Sequence, residues 1–329
     1  MNRNELLDRI KPETDRIDQA MRQDLATLGD TTLFEIINYA CFNGGKRFRP
    51  LLCVLAGRLC GRPDDDIYRL AIAFEYLHAA TLLHDDVVDK ADQRRGRPSA
   101  NTVWGNTAAI LTGDYLHARS LFLLGDLGRG RCLEIICRTT AAMVEGELLQ
   151  MRNARNFNQS EADYFTVITR KSALLIAAVC EIGAIYGRGG PEQTAALRAY
   201  GLNLGIAFQI VDDLLDYLGD SKNTGKAVGN DFCECKMTLP LIYTLAHAEN
   251  RDRNFLLALL AGPVETKMAA LDEAREMLTR YGGFAYARQQ AEQYVGLALA
   301  SLDVFQEKQQ EPERNILAGL AHYVLTRNK

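Results

Sequence analysis

Two short stretches of this chain set several carboxylates in apolar surroundings, an arrangement that calls for a cation. Leu82-Leu83-His84-Asp85-Asp86-Val87-Val88-Asp89 holds three aspartates within five residues. On a helix, residues four apart share a face, so Asp85 and Asp89 project together and Asp86 lies about 100° round. Crowded carboxylates repel, and removing each from water costs several kcal/mol unless a cation neutralises it. Only oxygen donors are on offer, so the matching ion is a hard divalent one, Mg²⁺ above others. A single acidic triplet is more commonly a solvated face or a cap. Here Gln209-Ile210-Val211-Asp212-Asp213-Leu214-Leu215-Asp216 repeats the spacing in an equally apolar frame. Two such helices facing each other would make a carboxylate-lined metal clamp.

Basic residues lie near the acidic ones. Arg94, Arg95 and Arg97 follow the first triplet directly, a combination that suits binding a metal and a phosphate together. Asn43-Gly44-Gly45-Lys46-Arg47-Phe48-Arg49-Pro50 packs three cations into four residues after a glycine pair that ends a helix. Taken alone, that loop reads as a solvated one beside a helix C-terminus, where cations are favoured. His78 sits close to two turns before Asp85 on nearly the same face. Its position suits a core histidine or a phosphate contact. Lys171, among Leu, Ile and Ala, reads as a buried or cavity-facing cation.

The elements that position these groups read as helices throughout. Apolar residues at helical spacing run over 3–28, from Thr31-Thr32 to Cys41, and over Leu51–Cys60. A long helix is predicted from about Ile67 to beyond Asp89. Further helices are predicted over Thr107–Leu124 and Cys132–Arg152, with a break at Gly125–Gly130. Ser160 offers a cap for the next. A helix over Ala195–Leu218 carries the second triplet. Gly219–Cys235, with Lys226 and Asp231, reads as a flap able to close over a ligand. Period-two alternation is nearly absent, so no sheet is expected.

Composition sets bounds on function. The 329 residues include only 8 Pro and no linker-like segment, so one domain over 1–329 is expected. A net charge of −4 gives no nucleic-acid footprint and leaves anion binding to local basic clusters. The 8 Cys show no metal-binding spacing and read as reduced thiols of a cytoplasmic protein. No apolar run is long enough to span a bilayer, although contact with a membrane surface stays open.

The set of motifs resembles the trans-isoprenyl diphosphate synthases, or polyprenyl synthetases, and within them the long-chain, octaprenyl type. Gly44–Pro50 looks like the first basic motif, His84–Asp89 with Arg94-Arg95-Gly96 like the first aspartate-rich motif, and Phe208–Asp216 like the second. The resemblance implies an all-α fold with helices around a deep central cavity, and a homodimer. It implies two to three Mg²⁺ ions held by Asp85, Asp86, Asp89, Asp212, Asp213 and Asp216, directly or through water. Lys46, Arg49, His78 and Arg95 would hold isopentenyl diphosphate. Arg94, Lys171, Ser172, Gln209, Lys226 and Lys236 would serve the allylic diphosphate, and Lys171 and Lys226 would act with the aspartates in ionising it. Ser172 replaces a common Thr and keeps the hydroxyl. Cys235 replaces a common Gly, which puts the flap's closed form in doubt.

Product length would then depend on the wall below the first triplet: Phe74, Leu77, Ala80 and Thr81. Ala80 and Thr81 are small and leave the floor open, favouring a long all-trans product for quinone side chains. A farnesyl or geranylgeranyl synthase is the alternative. A terpene cyclase, which normally lacks the second Asp triplet, and a non-catalytic partner subunit, which usually loses one triplet, fit less well. A di-iron bundle fits least, since it takes two Glu-x-x-His pairs and the sequence holds one, Glu75–His78.

Overall fold

The computed structural model describes residues 2–29, 31–61, 64–219 and 229–327, apart from the Arg129 side chain. It is all-α except for one two-residue ribbon among the described residues. The helices are α1 Arg3–Leu25, α2 Thr32–Phe42, α3 Phe48–Leu59, α4 Asp66–Val88, α5 Ala100–Trp104, α6 Asn106–Arg155, α7 Glu161–Ile168, α8 Leu174–Tyr186 and α9 Pro191–Leu218. They continue as α10 Asn230–Cys233, α11 Leu239–His247, α12 Asn250–Ala261, α13 Val264–Ala269, α14 Leu271–Arg280, α15 Gly283–Ala300 and α16 Glu311–Thr326.

Caps set several starts. The Asn2, Thr31 and Ser160 side chains accept from the backbone N–H of Glu5, Phe34 and Asp163, satisfying donors a helix start leaves unpaired. Two compact units result, interleaved in sequence. One comprises Met1–Cys137, Ala178–Arg198 and Leu302–Leu320; the other comprises Arg138–Ala177, Ala199–Ser301 and Ala321–Lys329.

In the first unit α3 and α4 are buried almost all round. Glycines let backbones meet there: a methyl on Gly183 would lie 2.5 Å from the Cys53 carbonyl oxygen, and one on Gly187 would lie 2.3 Å from that of Gly57. In the second unit α11 packs on α15 the same way, a methyl on Gly283 lying 2.4 Å from the Pro240 carbonyl oxygen. Tyr217, fully buried, packs on Phe232 and Phe284.

Three expectations change. α4 stops at Val88, with Asp89 as its C-cap, so the first triplet occupies the last turn, where backbone carbonyls already carry partial negative charge. The break at Gly125–Gly130 is absent: α6 runs through it for 50 residues. Each glycine weakens a helix by about 1 kcal/mol relative to alanine, but packing outweighs that here. A methyl on Gly128 would lie 3.5 Å from Leu70 of α4 and 2.6 Å from Cys132 Cβ. A small antiparallel ribbon also forms, β1 Gln93–Arg94 on β2 Arg97–Pro98. Its turn residues Arg95 and Gly96 have φ of 53° and 74°, the mirror-image turn that matches strand twist.

Candidate functional site

In the first unit, the end of α4 and the ribbon supply the site. Asp86 is 2% exposed, and the Nε and Nη2 of Arg94 donate to its Oδ1, each at 2.7 Å. Asp85 is half-buried and Asp89 exposed. His84 braces this helix end against α6: its Nε2 lies 3.2 Å from the Ile110 carbonyl oxygen and 3.4 Å from Asp114. Gly113 makes the room, since a methyl there would lie 2.3 Å from the ring.

A cationic group forms two turns earlier on α4. Burial, then the charges of Arg49, Arg95 and Arg94, lower the pKa of His78 well below its ordinary value, so the imidazole is neutral at pH 7. Lys46 is exposed and Arg49 half-buried, on either side of the first residue of α3. A helix start carries partial positive charge and favours an anion. Asp86, Arg94 and Arg95, with Tyr39, Ala79 and Leu83, line a cleft of about 420 Å³. Of the expected wall, Phe74, Leu77 and Ala80 are buried at 0–2% exposure. Thr81 is half-buried, and its hydroxyl donates to the His78 carbonyl at 2.9 Å.

In the second unit, the chain carrying Arg170, Lys171 and Ser172 forms a single π-turn, Thr169–Ala173, between α7 and α8. Such turns re-aim side chains. Glycines on either side fix it: a methyl on Gly146 would lie 2.8 Å from the Lys171 amide nitrogen, and one on Gly205 would lie 2.6 Å from the Ala173 Cα. Lys171 Nζ lies 2.6 Å from Glu147 and 3.4 Å from the Gln150 side-chain oxygen. The Ser172 hydroxyl donates to Gln209 at 2.8 Å, and Gln209 donates to Asp213 Oδ1 at 3.0 Å. The Tyr164 hydroxyl donates to the other oxygen of Asp213 at 2.7 Å. Lys171, Gln209, Asp213 and Lys236 line a cleft of about 480 Å³.

Among the described residues, the two oxygens of Asp213 are met by a hydroxyl and an amide rather than by a cation. Burial and the charge of Asp231 raise its pKa far above the ordinary carboxylate range, against the pull of Tyr164 and Gln209. The same two causes raise Asp216, whose Oδ2 accepts from the Asp231 amide at 2.9 Å. Asp212 is exposed and meets Arg327 Nη2 at 3.0 Å, that guanidinium lying 3.7 Å over the Phe208 ring. Lys236 donates to Asp231 at 2.7 Å and lies 3.0 Å from Glu234. Burial acts to lower its pKa, and the two carboxylates outweigh that and raise it. Cys235 takes φ of 59°, a region glycine adopts freely, with its Sγ 3.0 Å from Lys267 Nζ and 3.3 Å from the Leu260 carbonyl oxygen. Lys226 and most of the expected flap lie outside the described residues.

Sequence reading missed Tyr164 and Arg327, and gave no partner role to Glu147 or to Asp231 of the expected flap. Their one advance signal is chemical. A tyrosine in a core helix needs a partner for its hydroxyl, and a lysine amid apolar residues needs a carboxylate.

The acidic clusters fit a hard divalent ion in donor type. Among the described residues, no three His, Cys, Asp or Glu side chains gather as a metal cage. Among the described residues, no helix is long and apolar enough to cross a membrane.

The polyprenyl synthetase family profile matches residues 30–278. Octaprenyl diphosphate synthase of Escherichia coli (strain K12) is 34% identical over 325 residues, covering 96% of this chain and 99% of the relative. A short chain isoprenyl diphosphate synthase of Methanothermobacter thermautotrophicus is 35% identical, covering 98% and 99%. The crystal structure of polyprenyl synthase from Caulobacter crescentus CB15, complexed with calcium and isoprenyl diphosphate, superposes with a TM-score of 0.90 at 34% identity, covering 99% of this chain and 98% of that one. The two aspartate-rich helix ends, the basic loop and ribbon, and similarity over nearly the full length thus agree: the chain belongs to the polyprenyl synthetase family and is a trans-prenyltransferase.

Proposed function

We propose that this chain, acting as one polyprenyl synthetase domain, joins isopentenyl diphosphate to an allylic diphosphate. Repeated addition gives a long all-trans polyprenyl diphosphate, octaprenyl-like, for quinone side chains. The observation that carries this reading is that each unit has a cleft lined by both a buried aspartate and cationic side chains, Asp86 with Arg94 and Arg95, Asp213 with Lys171 and Lys236. A diphosphate calls for such a mixture, with cations to contact its oxygens and carboxylates that would hold a divalent metal to neutralise its charge.

In this reading, Asp85, Asp86, Asp89, Asp212, Asp213 and Asp216 hold two to three Mg²⁺ ions, directly or through water. Mg²⁺ supplies charge neutralisation for the leaving diphosphate. Arg94, Lys171, Gln209 and Lys236 orient the allylic diphosphate, with Lys226 from outside the described residues, and the cations stabilise negative charge as its carbon–oxygen bond breaks. Ser172 fixes the Gln209 amide. Lys46, Arg49, His78 and Arg95 hold the isopentenyl diphosphate, whose double bond attacks the allylic cation. The released diphosphate, rather than a side chain, takes the proton lost afterwards. Apolar wall residues keep water from the cation.

The reading includes a homodimer and a cytoplasmic location. Exposed Leu111, Phe122, Val144 and Leu148 along α6 support the former, and eight free cysteines support the latter. Release of so apolar a product would bring the enzyme against a membrane surface.

The test is incubation of purified protein with Mg²⁺, isopentenyl diphosphate and a panel of allylic primers. The dephosphorylated products are then separated by chromatography. Long polyprenols are expected; a cyclic hydrocarbon or no extension overturns the reading. A shorter product is the second reading, favoured by the similarity to a short-chain relative. The wall decides between them: Ala80→Phe is expected to shorten the product, and an unchanged length removes Ala80 from that role.

A further inference from the structure

The loop that carries Lys46 and Arg49 is held in a demanding conformation. Gly44, Gly45 and Arg47 have φ of 84°, 145° and 49°. A left-handed arginine costs about 1–2 kcal/mol, so its surroundings must over-determine it. Arg47 is 5% exposed and turns inward. Its Nε donates to Asp18 at 2.5 Å, and its Nη1 donates to Glu75 Oε1 at 2.8 Å. Asp18 keeps 42% of its side chain exposed, whereas Glu75 is 7% exposed.

A second guanidinium, that of Arg95, lies near Glu75 and feels its charge without an ion pair between them. A methyl built on Gly45 would have three nearest neighbours: Arg47 Nη1 at 3.1 Å, Arg95 Nη1 at 3.5 Å and Glu75 Oε1 at 3.6 Å. Two cationic nitrogens and one carboxylate oxygen therefore converge on one point of the loop backbone. Arg95 also donates to the Gly44 carbonyl, tying the ribbon tip to that loop. Burial and the neighbouring Arg94 and Arg47 work against the charge of Arg95, and Glu75 is the first cause that favours it. Glu75 lies on α4 one turn before His78, so the element that presents the histidine also presents the counter-charge.

We infer that Glu75 is a positioning residue for the isopentenyl diphosphate subsite, its carboxylate holding Arg47 and Arg95 together so that Lys46, Arg49, His78 and Arg95 keep one geometry. This rests on the reading of that basic group under Proposed function. Glu75 touches no substrate in this account. A cluster built to bind an anion repels itself when empty. One buried carboxylate behind it offsets that repulsion without occupying the face where the diphosphate binds.

The test is steady-state kinetics of Glu75→Gln with each substrate varied separately. The amide keeps the shape and removes the charge. We expect KM for isopentenyl diphosphate to rise about tenfold or more, as for loss of one well-placed ionic contact. We expect kcat within about threefold and allylic KM within about twofold, both reading the loss as confined to one subsite. Glu75→Asp, which restores the charge on a shorter stem, should recover part of the lost affinity. Asp18→Asn, at the exposed end of the same network, should have the smaller effect.

A cooperative melting curve establishes that Glu75→Gln is folded. If it is not, Arg47→Lys is measured in its place, since it keeps the charge, loses the two-pronged contact and should raise the same KM. An unchanged KM for isopentenyl diphosphate, or equal rises for both substrates, overturns the inference. Lys46→Ala separates the two levels. If it raises that KM while Glu75→Gln does not, the inference alone fails. If Lys46→Ala leaves it unchanged, the assignment of the basic group to isopentenyl diphosphate fails and the inference falls with it.

Discussion

The two aspartate triplets share a sequence pattern and differ in chemistry. In each, the middle aspartate is the buried one, Asp86 at 2% and Asp213 at 6% exposure, while the flanking ones reach further into solvent. Asp86 is neutralised by a guanidinium, Arg94 at 2.7 Å. Asp213 receives a tyrosine hydroxyl and an amide, which satisfy its oxygens without cancelling its charge. Its pKa rises accordingly, from burial first and then from Asp231. The buried aspartate of the first cluster thus carries its own counter-ion, whereas among the described residues the cation of the second cluster, Arg327, sits on the exposed Asp212 and not on the buried Asp213. Identical spacing on a helix therefore does not mean an identical demand for metal. The second cluster should gain more from a bound cation than the first.

The largest effect that could break this comparison concerns turnover. Asp85→Ala and Asp212→Ala each remove a carboxylate from the less buried side of a cluster. Each is expected to lower kcat about a thousandfold or more under saturating Mg²⁺, the scale on which electrostatic stabilisation of a leaving group acts. If both variants turn over normally, the metal assignment is wrong. If only one is crippled, a single cluster carries the metal chemistry.

Stability comes next. Tyr164→Phe and Arg94→Gln each remove a donor from the buried middle aspartate, and each is expected to destabilise the protein by about 1–3 kcal/mol in denaturant titrations. The loss for Arg94→Gln should be the larger, because it leaves Asp86 without its counter-ion. Equal losses would mean that hydroxyl and guanidinium serve these carboxylates alike.

The smallest effect is a pH dependence confined to the second cluster. Asp213 binds its proton more tightly folded than unfolded. Folding therefore takes up a proton between the ordinary carboxylate pKa and the raised one, and stability falls as pH rises through that interval. Asn at this position removes the titration. In metal-free buffer the melting temperature of Asp213→Asn, relative to the parent, should be higher at pH 8 than at pH 5. A difference independent of pH would show that Asp213 is not held in its protonated form.

Much of this was legible from residue types. Helices could be placed because apolar residues recur at helical spacing and Thr31 and Ser160 offer caps, as found. The misreadings fall on segments whose composition alone suggests irregular structure. Gly125–Gly130 has the composition of a break, yet α6 runs through it, and a methyl on Gly128 would lie 2.6 Å from Cys132 Cβ one turn on. Arg95-Gly96 reads as irregular loop and forms a hairpin turn, because two consecutive positive φ values match the twist of a ribbon.

The sequence by itself determined which chemistry is present: two sets of oxygen donors, a basic loop and an all-helical scaffold, because donor type and periodicity belong to the residues. Only the tertiary structure decided how each charge is balanced. Arg94 on Asp86, Tyr164 on Asp213, and Glu75 on Arg47 are pairings across 8, 49 and 28 residues of chain. The strength of a charge interaction depends on distance and burial, and neither quantity exists until the chain has folded.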